Sequence, residues 1–126
     1  MRKIAILACL LLATAPALAG RPSNDDCADA ETISSLPYAA SEPDIEEATT
    51  EGTDPFPLCT GFARQHTVWW RYTPPTDHWL RITTAGSDFD SFLRVGTSGC
   101  GGSTLECDDN GVEGINAEIV MGVQAG

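Results

Sequence analysis

Beyond Lys3 this sequence contains no lysine. Its fixed cations from there on are Arg21, Arg64, Arg71, Arg81 and Arg94, set against 18 acidic residues. Nucleic acid and anionic membrane surfaces call for the opposite balance, so charge argues against both as partners. Cation binding is compatible with it, and so is a plain acidic exported protein. No apolar run reaches the roughly 20 residues that a membrane span requires. No long 3.6-residue periodicity appears either, which argues against a helical bundle. Histidine is scarce: His66 and His78 belong to no His-x-x-x-His or Gly-x-Ser-x-Gly pattern. Close Cys-x-x-Cys spacing is also missing, which removes the usual zinc arrangement. Without a nucleophile and a positioned base, the sequence reads as non-enzymatic.

The N-terminus carries the most familiar pattern. Met1-Arg2-Lys3 is a short basic stretch, Ile4 to Pro16 is apolar and almost uncharged, and Ala17-Leu18-Ala19 is a small-x-small cleavage signal. Residues 1–19 are therefore expected to be a secretory signal peptide, cut after Ala19. A lipoprotein reading at Ile6-Leu7-Ala8-Cys9 sets the cysteine too near Lys3, and the apolar run continues past it. The expected mature chain, 20–126, is one secreted or cell-surface domain whose formal charge falls from −11 to −13 as Arg2 and Lys3 leave. Cys27, Cys59, Cys100 and Cys107 remain in it, an even number that reads as two disulfides in an exported small domain. Local loop closure favours Cys100–Cys107 around Gly101-Gly102-Ser103-Thr104-Leu105-Glu106, leaving Cys27–Cys59.

The body of the chain reads as strands. Residues 21–31 are polar with a helix-start character, and 41–58 form an acidic loop around a weak edge strand near Ala48–Thr50. His66 to Thr73 and His78 to Thr84 alternate and are rich in aromatic and β-branched residues around a Pro74-Pro75 turn. A hairpin there sets Val68, Trp70 and Tyr72 on one face with Leu80 and Ile82. Trp69–Arg81 and Arg71–Trp79 then form a cross-strand ladder on the other. Thr84 to Val95 opens with a turn and becomes a strand whose Phe89, Ser91, Leu93 and Val95 point inward. Asp109-Asn110-Gly111 is a turn signal, and 115–123 alternates as a last strand. The implied class is all-β, an antiparallel β-sandwich.

Four segments in this order resemble the bacterial pre-peptidase C-terminal (PPC) domain: Asn24-Asp25-Asp26-Cys27-Ala28-Asp29-Ala30; Val68-Trp69-Trp70-Arg71-Tyr72-Thr73-Pro74; Gly86-Ser87-Asp88-Phe89-Asp90-Ser91-Phe92-Leu93; and Cys107-Asp108-Asp109. The resemblance spans nearly all of 20–126. It implies a jelly-roll-like β-sandwich and a non-catalytic extracellular module, attached to peptidases or surface proteins, that serves secretion, anchoring or ligand binding. Such domains continue past the strand matching Glu118–Val123 into another strand rich in Tyr and Ile. By that measure the sandwich lacks its last strand or strands, and the chain is expected to be C-terminally incomplete. The alternative is a structural remnant of a larger secreted protein, without independent activity.

Two ligand sites follow as expectations. Asp88, Asp90, Asp108 and Asp109 could converge on calcium, which takes several hard oxygen ligands, although the sixth position from Asp88 is Leu93 and not the glycine of an EF-hand loop. The competing reading has these acids fix turns through their own backbone. Trp69 and Trp79, on one outward face, could form a stacking platform for polysaccharide, the competing reading being the Trp–Arg ladder. Calcium is thus the candidate cofactor, and an extracellular protein or polysaccharide the candidate partner.

Overall fold

The computed structural model describes residues 20–40, 45–56, 58–61, 66–97, 99–110 and 114–126. The stretch 1–19, expected as a signal peptide, and Gly111 of the expected Asn-Gly turn lie outside them. Six strands carry the fold: β1 Glu31–Ile33, β2 Trp70–Tyr72, β3 His78–Thr83, β4 Leu93–Gly96, β5 Thr104–Asp108 and β6 Glu118–Val123. Helix is confined to two 3-10 turns, Cys27–Asp29 and Ile45–Glu47. The strand-dominated chain is compatible with an all-β fold.

The strands pair two by two. β4 and β5 are antiparallel, as are β3 and β6, whereas β1 and β2 run parallel with Glu31 opposite Trp70. The expected 66–84 hairpin is therefore not a paired ladder. β2 takes β1 as its partner and β3 takes β6. The connection explains why. Pro74 and Pro75 offer no N–H to a ladder, and the backbone of the turn is bonded elsewhere. Gly126 N–H donates to Pro74 O at 3.3 Å, and Ala125 N–H to the Asp77 carboxylate at 2.9 Å. Across the turn Tyr72 and His78 meet edge to face, with Tyr72 Oη 3.2 Å from His78 Nε2.

The β3–β6 ladder is the most regular part. His78, Leu80 and Ile82 face inward opposite Val123, Met121 and Ile119. Trp79, Arg81 and Thr83 face outward opposite Gly122, Val120 and Glu118. Burial follows the same alternation, with Ile119 buried at the centre and its inward neighbours half-buried. Ala48, Ala117 and Ile119 are the buried apolar residues among those described.

The stretch 84–95 departs from its expected form. The turn is present, closed by Ser87 N–H on Thr84 O at 3.0 Å, with Gly86 at φ +97°, where a side chain would be strained. Ala85 N–H is held by Thr83 Oγ1 rather than by an aspartate. The strand then begins at Leu93, not Phe89, and Phe89 is exposed. Ser91 takes the buried position instead. It donates from Oγ to Thr84 Oγ1 at 2.7 Å and from its backbone N–H to Ile115 O at 3.0 Å. A hydroxyl that finds two partners can be buried there, and Phe89 is left in solvent.

The cysteine pairing also differs from the expected one. Cys27 joins Cys100 and Cys59 joins Cys107, with Cα atoms 5.5 and 5.7 Å apart. The loop between Cys100 and Cys107 is closed without sulfur. Arg94 crosses it, donating from Nε to Thr104 Oγ1 at 2.8 Å and from Nη2 to Gly102 O at 2.5 Å. Burial lowers the proton affinity of this guanidinium, and the two hydrogen bonds offset its desolvation. Both cysteines are thus free to tie distant segments onto the β4–β5 sheet.

Candidate functional site

Two surfaces stand out. The first lies where the N-terminal segment meets residues 48–54 and 66–69. Asp25, only 1% exposed, is the largest fully buried side chain among the described residues. A buried carboxylate must be paired, and this one is. Thr49 donates its N–H to Asp25 Oδ1 at 2.7 Å and faces Asp25 Oδ2 with its hydroxyl at 3.0 Å. Arg21 Nε–H pairs with the same Oδ2. The Nη2 group of Arg21 reaches Asp26 at 2.8 Å, Thr49 Oγ1 at 2.7 Å and Glu51 at 2.9 Å. Thr49 Oγ1 also lies 2.6 Å from Glu51. With one proton it serves Asp25 and Glu51 alternately.

Neighbouring bonds lock the segments together. Asn24 exchanges two hydrogen bonds with the Trp69 backbone, at 2.9 and 3.1 Å. The buried Asp54 accepts Glu51 N–H at 2.9 Å and the Thr67 hydroxyl at 2.6 Å. His66, at φ +54°, sits with Nδ1 2.8 Å from Ala48 O. A non-glycine residue in that region is held by its surroundings.

Asp25, Asp26 and Glu51 are the one set of three possible metal ligands among the described residues whose ligand atoms lie within 4.8 Å of one another. The spacing would suit a hard cation, but the Arg21 guanidinium already lies among the three carboxylates. The arrangement reads as a structural ion-pair knot with arginine as its cation.

The sequence-expected calcium ligands are placed otherwise. No three of Asp88, Asp90, Asp108 and Asp109 form such a set. Asp88 and Asp90 are exposed on the surface past the Gly86 turn. Asp108 accepts Glu118 N–H at 2.8 Å and so links β5 to β6. Asp109 receives the Asn110 side-chain amide at 3.2 Å.

The second surface is the outward face of β3–β6. Trp79 is 78% exposed there, high for the largest apolar side chain. Its cross-strand partner is Gly122, where a methyl group would meet no atom within 4 Å. Nothing opposite therefore covers the indole. Val120 is also exposed beside it, and Arg81 and Glu118 pair diagonally at 2.5 Å. The Glu118 hydrogen bond and charge raise the proton affinity of Arg81. The expected partnership of Trp69 with Trp79 does not form. Trp69 is half-buried and precedes β2, in a different sheet, with its indole N–H buried and without an acceptor among the described residues. Arg81 pairs with Glu118, which replaces the expected Trp69–Arg81 ladder.

Sequence reasoning placed Trp70 inward, yet it is partly exposed and donates from Nε1 to Tyr38 Oη at 3.2 Å. No local motif in the sequence marks Arg21, Thr49 and Glu51 as site residues. The signal available was an arginine four residues ahead of a buried acid, too common to stand out alone. No family model, curated protein or solved structure matches the chain. No helix among the described residues is long and apolar enough to cross a membrane.

Proposed function

We propose that this chain is an exported, non-catalytic binding or accessory module of the PPC type, built as a jelly-roll-like sandwich, and that the outward face of β3–β6 is its ligand surface. The observation that carries this reading is the bare indole of Trp79 beside the side-chain-free position of Gly122. A flat aromatic surface flanked by a charged pair suits the apolar face of a sugar ring, whose hydroxyls then meet Arg81 and Glu118. The ligand is extracellular polysaccharide, and a neutral one, because a formal charge of −11 repels acidic glycans. The two long-range disulfides support an oxidising compartment.

The test is co-sedimentation of the purified protein with insoluble neutral polysaccharides, alongside the Trp79→Ala variant. Retention that the variant loses supports the reading; equal retention, or none, overturns it. A second reading, a structural piece that works only within a larger exported protein, is favoured by the small apolar core among the described residues, Ala48, Ala117 and Ile119. A broad, uncooperative melting curve for the isolated protein would support it.

A further inference from the structure

A separate aromatic site lies on the β1–β2 sheet. Trp70 of β2 and Glu31 of β1 are register partners. Tyr38, beyond the β1 strand, lies between them. Trp70 Nε1–H donates to Tyr38 Oη at 3.2 Å, and Tyr38 O–H donates to Glu31 Oε1 at 2.7 Å. This relay fixes the edges of both rings while about a third of each residue stays in solvent, 37% for Trp70 and 36% for Tyr38. It ends on an exposed carboxylate that has no arginine or histidine within ion-pair distance among the described residues. Arg71, the nearest basic residue in sequence, is the adjacent strand position and so points to the opposite face of the sheet.

Two part-exposed aromatic rings beside a carboxylate with no basic partner among the described residues form the donor set for an organic cation. The rings attract it through their quadrupoles and the carboxylate through its charge. The field of the whole chain, at −11, draws in the same sign of ligand. We propose that Glu31, Tyr38 and Trp70 form a docking site for a lysine or arginine side chain on a basic segment of a partner protein. The ammonium or guanidinium lies against the exposed ring faces and pairs with Glu31. The relay holds the rings in place before binding, so little side-chain freedom is lost on association. The site is independent of the Trp79 face, which lies in another sheet.

The experiment titrates the purified protein with a tri-lysine amide peptide and with the same peptide acetylated on every side chain. Binding is read by calorimetry and by the Trp70 indole N–H resonance. The unmodified peptide is expected to bind and to shift that resonance, and the acetylated one to do neither. Glu31→Gln and Trp70→Leu should each weaken binding about three- to fivefold, the size of an exposed ion pair or cation–π contact. Tyr38→Phe keeps the ring but breaks the relay, and should weaken binding about twofold. Asp90→Asn, a charge loss at an exposed residue outside the β1–β2 sheet, and Trp79→Leu should leave binding unchanged. Equal weakening by Asp90→Asn and Glu31→Gln would show general attraction to an acidic protein and overturn the proposal. So would tight binding of the acetylated peptide, or of a neutral oligosaccharide, at the Trp70 resonance.

Discussion

The Arg21–Asp25–Thr49 knot and the β3–β6 ladder hold the molecule together by opposite means. The ladder uses six backbone register pairs, with a modest apolar face inside and a polar face outside. The knot has no ladder of its own. It joins residues 21–26, 48–54 and 66–69 through side chains, around a carboxylate more deeply buried than any large apolar group described. A ladder weakens gradually when one side chain is shortened, because backbone bonds and the remaining contacts persist. A buried ionic knot fails sharply, because removing one member leaves another desolvated and unpaired.

The largest expected effect comes from the covalent tie between the segment carrying the knot and the β4–β5 sheet, which the ladder does not share. Replacing Cys27 and Cys100 by alanine opens a link spanning 73 residues. Chain entropy puts its contribution at about 4 kcal/mol. Urea unfolding of the double variant should show most of that loss, and peptide mapping without reductant should recover Cys27–Cys100 and Cys59–Cys107 fragments from the parent protein. Recovery of Cys100–Cys107 would instead mean that the knot and the β4–β5 sheet are not tied.

Next in size is Asp25→Ala, expected to cost about 2–3 kcal/mol because the Thr49 N–H and hydroxyl lose a buried charged acceptor, while Arg21 keeps Asp26 and Glu51. Ile119→Ala in the ladder is the matched comparison, and should cost about 2–4 kcal/mol through lost burial and a cavity. If Ile119→Ala proved the more damaging by a clear margin, the knot would be ornament and the core the true support.

Calcium sharpens the same contrast. Arg21 stands among Asp25, Asp26 and Glu51 as their cation. Millimolar calcium or EDTA should therefore leave the melting temperature of the parent protein in place. Arg21→Ala removes that cation and leaves three crowded carboxylates, so the variant should melt lower and regain part of the loss when calcium is added. A calcium-dependent melt in the parent protein would count against arginine as the resident cation.

The smallest effect belongs to the exposed Arg81–Glu118 pair, where Glu118→Gln should barely move the melting temperature, and not at all in high salt. The raised proton affinity of Arg81 places its titration above the ordinary arginine range. The pair's contribution is present at every pH below that range while Glu118 is ionised, so unfolding measured from neutral to mildly alkaline pH should show no step from Arg81.

How much of this was legible beforehand follows from the range of the interactions. Alternation in His78–Thr83 and Glu118–Val123 fixed which side chains face in, and those faces hold in the ladder. The same alternation failed at Phe89 and Ile115, both exposed, because the pleat that would have turned them inward is not there. Period-two reasoning assumes a strand, and Ser91, bonded to Thr84 and Ile115, interrupts it.

By itself, then, the sequence determined composition-level and short-range features: strand character, turn positions such as Gly86, and the presence of four cysteines to be paired. Tertiary structure decided the partners. It joined β2 to β1 and β3 to β6, crossed the disulfides over from the locally favoured pairing, and gathered Arg21, Asp25, Thr49 and Glu51 from positions 30 residues apart. Local chain statistics set propensity and nearby loop closure. Which distant groups meet depends on how the whole chain satisfies its buried polar atoms at once, and no window of neighbouring residues contains that information.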